Sequence, residues 1–136
     1  RFSTNRWGMR DRDYPKAKST GAYRIALIGA SRAMGSGVSD DETFEALIEN
    51  RLNEELSPRT GLRYEILNFS MGSFGPLKKL RAFESKAVEF DPDAILYVGH
   101  VSEASFILED VTRAVVFDLE MPYPEIKSIF GEVRVG

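Results

Sequence analysis

The sequence contains no cysteine and only one histidine among its 136 residues. The lack of cysteine excludes disulfide frameworks, thiol catalysis and cysteine-based metal sites. The densest apolar run, residues 24–31, is far shorter than the roughly 20 residues that a membrane-spanning helix needs. A net charge of −3 provides no positive surface for nucleic acid. Because the histidine and the carboxylates also lack metal-ligand spacing, we expect no metal, no cofactor and no nucleic-acid partner.

What the sequence does contain is typical of a folded globular domain. Hydrophobic residues make up 43% and charged residues 29%. A chain of this length forms one domain at most, with a modest core. Residues 1–22 are polar, and Trp7 and Tyr14 are their only large anchors. We therefore predict an N-terminal arm over residues 1–22 and an α/β domain over residues 23–136.

Three short apolar runs predict buried strands, at residues 24–28, 64–69 and 94–98. Gly29 bounds the first run, as expected for a strand that is covered on both faces of a parallel sheet. The second run alternates only partly between apolar and polar residues, which favours a place nearer the sheet edge.

Segments with helical periodicity lie between and after these runs. Ser39 and Glu42 have capping-box spacing, which predicts a helix that begins there and ends at Pro58. Its predicted inward residues are Phe44, Leu47, Ile48, Leu52 and Leu56. A second helix is predicted from Pro76 to Phe90, with inward residues Leu80, Phe83, Ala87 and Val88. A third is predicted from Glu103 to Leu119, with inward residues Phe106, Ile107, Val111, Ala114 and Val115. A short fourth runs from Glu125 to Phe130, closed by Gly131.

The alternation of strands and helices predicts right-handed βαβ crossovers and a three-layer αβα sheet of the flavodoxin-like type. Ligands of such sheets bind outside the carboxyl ends of the strands, so we expect a site built from residues 29–37, 69–75 and 99–103. The chain stops as residues 133–135 begin another apolar pattern, which predicts a sheet that is incomplete at its C-terminus. The strand at residues 94–98 would then expose an apolar edge and promote self-association.

Several segments resemble blocks of a known family. Gly-Ala-Ser at residues 29–31, together with residues 35–38 and 41–44, resembles the first block of the SGNH (GDSL-like) hydrolases, usually Gly-Asp-Ser. A similar likeness links the second block to residues 64–75, which comprise a strand that ends in Asn68 and a glycine-rich loop. Further similarity lies in the strand before the third block, residues 92–99, and in the arm, residues 5–11. The resemblance covers nearly the whole chain.

This resemblance implies hydrolysis or acyl transfer through an acyl-serine, on a small-molecule or carbohydrate ester. In the family, the oxyanion hole consists of the nucleophile's own N–H, the N–H of a second-block glycine and a third-block asparagine side chain. Carried over, Ser31 takes the nucleophile position. Ser73, five residues after Asn68, takes the glycine position. Ser102, ten residues after Pro92, takes the asparagine position.

His100 stands beside the third block and is interpreted as a residue that lines the cleft. The resemblance attributes the catalytic histidine to a later Asp-x-x-His segment, which this chain lacks. Other readings stay open: Ser31 as an incidental residue of a glycine-rich turn, and Ser102 as a helix N-cap. A degenerate relative that binds a glycan or protein partner without turnover is also open. So is a flavodoxin-like nucleotide-binding module, although residues 29–37 match neither phosphate-binding fingerprint.

Charged groups elsewhere are predicted to be structural. The cluster Lys78, Lys79 and Arg81 is expected on an exposed helix face, and the acidic pair Glu109 and Asp110 on a solvated one. The sequence leaves the compartment open.

Overall fold

The computed structural model describes residues 3–121 and 123–133. Its three strands are β1 (Ala22–Ile28), β2 (Arg63–Asn68) and β3 (Ala94–Tyr97). They form one parallel sheet in the order β2-β1-β3. The helices are α1 (Phe44–Glu55), α2 (Ser57–Thr60), α3 (Pro76–Ser85), α4 (Glu103–Val116) and α5 (Pro124–Val133), with a 3₁₀ turn at Ala87–Phe90. The predicted α/β fold with a parallel, helix-flanked sheet is confirmed, while residues 134 and 135 of the predicted last apolar pattern lie outside the described residues.

The central strand β1 supplies side chains to both faces of the sheet. Leu27 packs on one face in a cluster with Ala33 and Ile66, which Phe44 and Leu52 of α1 cover. Ala26 and Ile28 point to the other face, because successive side chains of a strand alternate. That second cluster is larger and consists of Met9, Tyr14, Ala26, Ile28, Leu67, Phe69, Ala87 and Phe90.

The N-terminal arm packs on this second face. Its Trp7 ring meets Phe90 edge-on with the ring centroids 5.7 Å apart. The indole N–H of Trp7 donates to the Tyr14 carbonyl at 2.9 Å, and the Tyr14 hydroxyl donates to Glu49 at 2.6 Å. Tyr14 is buried. The arm is therefore joined both to the 3₁₀ turn and to α1.

The outer edge of β2 is covered by side chains. The N–H groups of Tyr64, Ile66 and Asn68 point away from β1. They donate to Asn53 at 2.9 Å, to Glu49 at 2.6 Å and to Asp11 at 2.7 Å, respectively. Side-chain oxygens thus occupy the places that a fourth strand's carbonyls would take, which protects this edge from pairing with another chain.

Helix α1 differs from its prediction in both its start and its buried face. It begins at Phe44 after the N-cap Thr43. Ser39 contacts Glu42 through its backbone alone: its N–H donates to the Glu42 carboxylate at 3.3 Å, and its carbonyl accepts the Glu42 N–H at 3.1 Å. The buried side chains include Glu45 and Glu49, whereas the predicted inward residues Leu47 and Ile48 are exposed. The helix turns its glutamates inward because their oxygens accept hydrogen bonds from β2 and the arm.

Predictions for the other elements also need correction. Helix α3 ends at Ser85, the 3₁₀ turn replaces its predicted last turn, and Leu80 and Val88 are exposed. Strand β3 lies at an edge of the sheet, and its side chains Ile95, Leu96 and Tyr97 are exposed rather than buried. Helix α4 leaves Phe106 exposed, and α5 continues through the predicted stop at Gly131. Within the described residues, no helix is long and apolar enough to span a membrane.

Candidate functional site

The loops that follow the three strands line one cavity of about 670 Å³ at the carboxyl edge of the sheet. Ser31 comes from the loop after β1, Ser73 from the loop after β2 and His100 from the loop after β3. The walls come from α3 and α4 and consist of Lys78, Lys79, Glu103, Phe106, Glu109, Asp110 and Arg113. This is where ligands of open parallel sheets bind.

The first loop turns tightly because Gly29 has no side chain. A Cβ at this position would lie 2.3 Å from the Cβ of Ala33 and 3.3 Å from that of Val98. The backbone N–H of Ser36 donates to the Ser31 carbonyl at 3.0 Å and braces the turn. Ser31 itself is exposed, and among the described residues its hydroxyl has no hydrogen-bond partner. The loop therefore presents an unengaged hydroxyl to the cavity.

Asn68 joins the first loop to the second. This fully buried side chain donates from Nδ2 to the Ala33 carbonyl at 3.0 Å and to Glu45 at 2.9 Å. Its Oδ1 accepts the backbone N–H of Ser70 at 3.0 Å. Ser73 then adopts a φ of 61°, the left-handed conformation that favours glycine. The position that the family resemblance assigns to glycine thus has a glycine-like backbone here, although it carries a Cβ.

In the third loop, His100 is held by hydrogen bonds and by stacking. Its Nδ1 accepts the backbone N–H of Ser102 at 3.1 Å, and its own backbone N–H donates to Glu103 at 3.1 Å. The ring stacks on Phe106 with 6.3 Å between the centroids. Because Nδ1 is an acceptor, the neutral ring carries its proton on Nε2. In this tautomer Nε2 is a hydrogen-bond donor.

Ser102 is not among the residues that line the cavity. It stands at the N-cap position of α4, as the alternative interpretation predicted, but its side chain makes no capping hydrogen bond. The structure thus brings Ser31, Ser73 and His100 together around the cavity and leaves Ser102 outside it.

An ion pair between Lys79 and Glu103 in the cavity wall was not predicted. Lys79 is only 1% exposed, and its Nζ donates to the Val98 carbonyl at 2.9 Å and pairs with Glu103. Tyr97 donates its hydroxyl to Glu103 at 2.8 Å, and its ring centroid lies 4.8 Å from the Lys79 Nζ. The prediction of an exposed Lys79 is wrong because α3 turns this side chain toward the end of β3. No signal in the sequence separates it from the neighbouring Lys78, which is exposed.

These contacts shift the pKa values of Glu103 and Tyr97. Partial burial alone would raise the pKa of Glu103, but hydrogen bonds from Lys79 and Tyr97 outweigh it and lower that pKa. Burial, aided by the Glu103 charge, raises the pKa of Tyr97 to about 12. At neutral pH Glu103 is therefore a carboxylate that is already engaged, and Tyr97 is a neutral donor.

An acidic cluster lies on the other side of Asn68. Asp11 accepts the Asn68 backbone N–H, and its pKa is raised to about 7 by burial and by the nearby charges of Glu49 and Glu45. Glu45 is buried, and its Oε2 has no hydrogen-bond partner among the described residues. Within residues 3–121 and 123–133, no group of three potential ligands is arranged to hold a metal ion.

Comparison with known proteins adds no assignment: no family model, curated protein or solved structure matches this chain. The resemblance to the SGNH hydrolases consequently stays a prediction from the residues of the sequence.

Proposed function

We propose that this chain carries the acyl-serine site of an SGNH-type serine esterase or acyltransferase, which acts on a small-molecule or carbohydrate ester. The observation that carries the proposal is the convergence of Ser31, Ser73 and His100 on one cavity at the carboxyl edge of the sheet. Each comes from a different loop that the resemblance links to catalysis.

In the proposed reaction the Ser31 hydroxyl attacks the ester carbonyl. A base removes the hydroxyl proton as a bond forms between Oγ and the carbonyl carbon. The bond to the alcohol breaks as the tetrahedral intermediate collapses, and the departing oxygen takes up the proton. Water then attacks the acyl-serine, which releases the acid and returns a proton to Oγ. The backbone N–H groups of Ser31 and Ser73 stabilise the oxyanion. Removing one such donor typically costs about 10²–10³ in rate.

His100 is the side-chain donor in this proposal. Ser102, which the resemblance assigns to that role, does not line the cavity, whereas His100 does. The Ser102 N–H holds the His100 ring in the tautomer whose Nε2 donates. The residue predicted as a donor thus acts through its backbone, by orienting the residue that donates.

A serine nucleophile also needs a base, because it is weak at its own pKa. Among the described residues, the Ser31 hydroxyl is not hydrogen-bonded to one, and His100 and Glu103 are engaged elsewhere. We therefore expect acylation of Ser31 to be accelerated by an added base such as imidazole.

A fluorophosphonate probe tests the proposal on the full-length protein, with intact mass as the readout. We expect one adduct on Ser31, formed faster with imidazole and absent from Ser31→Ala. Ser36→Ala is the matched control, because Ser36 is an exposed serine of the same loop. An adduct that persists in Ser31→Ala, or no adduct even with imidazole, contradicts the proposal.

A second candidate is a site that binds an acylated glycan or a protein partner without turnover. It is favoured by the lack of a base hydrogen-bonded to Ser31 among the described residues and by the donor tautomer of His100. For this function Ser31→Ala should bind an O-acetylated sugar as tightly as the wild type, and neither protein should release acetate.

A further inference from the structure

A second cavity, of about 510 Å³, adjoins the one that contains Ser31. Four residues line both cavities: Phe74 and Lys78 on the side of α3, and Asp110 and Arg113 on α4. A ligand that passes between these two pairs would therefore occupy both cavities at once.

The lining of the second cavity is mainly apolar. Its apolar side chains come from the arm, the end of β2, α3 and the segment after α4: Met9, Phe69, Leu77, Ala82, Leu119 and Met121. The volume is in the range of small-molecule sites, about 300–1,000 Å³. Ser70 also lines it, but its hydroxyl is buried away from the cavity surface and has no partner among the described residues.

Charge distinguishes the possible head groups of an apolar ligand. Four cationic residues line the cavity against two acidic ones: Lys78, Arg81, Lys86 and Arg113 against Asp110 and Glu120. A chain with a carboxylate head fits this balance, whereas one with an ammonium head does not, and a neutral ester head is not distinguished by charge.

We infer that this cavity binds the linear acyl chain of the ester whose carbonyl lies at Ser31. The inference rests on the proposed function, and it narrows the substrate class to esters of unbranched acids with chains well beyond acetyl. Each methylene that the chain adds should tighten binding about fourfold until the cavity is filled.

Binding is measured on Ser31→Ala, so that it does not depend on turnover. Calorimetry with acetate, hexanoate and decanoate should show affinity that rises with chain length, and decyltrimethylammonium should bind at least tenfold more weakly than decanoate. Ala82→Phe should weaken decanoate binding at least tenfold, because its ring enters the cavity. Ala46→Phe is the matched control, since Ala46 lies on α1 outside this cavity.

The experiments can contradict the esterase proposal and the acyl-cavity inference independently of each other. Decanoate binding that Ala82→Phe removes, without any Ser31 adduct from the fluorophosphonate, supports the acyl cavity and contradicts the esterase. A Ser31 adduct with no binding of decanoate, or with binding unchanged in Ala82→Phe, overturns the acyl cavity. If Ala82→Phe does not fold, Ala82→Leu serves in its place, and decanoate affinity unchanged in a folded Ala82→Leu overturns the inference equally.

Discussion

Two residues of the site, Ser73 and His100, have conformations that are set by their loops. Ser73 adopts the left-handed backbone region, which disfavours a Cβ by about 1–2 kcal/mol. His100 is held by the backbone of Ser102 and by the ring of Phe106. Neither arrangement can be predicted from residue type, because each depends on how a loop closes.

We expect Ser73→Gly to raise the free energy of unfolding by about 0.5–1 kcal/mol. Glycine relieves the left-handed backbone, while its greater freedom in the unfolded chain offsets part of the gain. Ser105→Gly is the matched control. Ser105 is exposed inside α4, where glycine lowers stability by about 0.5 kcal/mol. Urea unfolding measures both, and a decrease for both variants would show that Ser73 is not strained.

Removal of the His100 side chain should slow acylation of Ser31 by about 10²-fold, since one oxyanion donor is lost. His100→Gln keeps an N–H donor and should stay within about tenfold of the wild type. The measurement is the rate of fluorophosphonate labelling, with thermal unfolding as the control for folding. Equal rates for His100→Ala and the wild type would remove His100 from the oxyanion hole.

Among the secondary-structure elements, α1 shows best why hydrophobic periodicity predicted only part of the structure. Its position between β1 and β2 was predicted, but its buried face was not. Glu49 is buried because it accepts hydrogen bonds from Tyr14 and from the β2 edge, while Leu47 is 55% exposed. Lys79 on α3 is buried for the same reason, because it pairs with Glu103 on a different element. Hydropathy describes one segment at a time and does not detect partners that are distant in the chain.

The junction of the arm with α1 and β2 should make stability depend on pH through Asp11. Its pKa rises from 3.8 in the unfolded chain to about 7 in the folded protein, so folding favours the protonated form. The free energy of unfolding should then fall as pH rises from about 4 to 7, by up to about 4 kcal/mol from this group. Arg12, Tyr14, Glu45 and Glu49 surround it.

Asp11→Asn should remove this dependence, and its stability should exceed that of the wild type at pH 8. Urea unfolding at pH 5 and pH 8 gives the comparison. Asp40→Asn is the control, because hydrogen bonds from Ser3 and Arg10 lower the pKa of Asp40 and keep it charged over this range. If the wild type and Asp11→Asn lose stability equally between the two pH values, Asp11 does not titrate there.

For the molecule as a whole, the sequence predicted that three loops meet at one edge of a parallel sheet. Three strands followed by three loops place those loops at one sheet edge in any right-handed parallel fold. Ser31, Ser73 and His100 duly line a common cavity. What the strand pattern could not supply is the distance between them or the cavity beside them. Both depend on how α3 and α4 pack.

The two outer strands of the sheet differ in how well their edges are protected from pairing with another chain. The outer N–H groups of β2 bind side chains, whereas β3 presents Ile95, which is 52% exposed, and Tyr97. We predict that the protein self-associates through β3, because an unprotected apolar edge pairs readily. Ile95→Lys should abolish this association.

Light scattering after size exclusion, over a range of concentrations, measures this effect. Leu47→Lys is the control, since Leu47 is equally exposed but lies on α1. A wild type that stays monomeric at the highest concentration, or a loss of association in both variants, would argue against β3 as the contact.

The contact of the Trp7 ring with Phe90 has a consequence for the fluorescence of the protein. Trp7 is the one tryptophan of the chain, and its ring also lies 5.0 Å from the Lys16 ammonium. Indole emission of the unlabelled protein thus originates in the arm. The intrinsic fluorescence spectrum is accordingly a built-in reporter of whether the arm is docked.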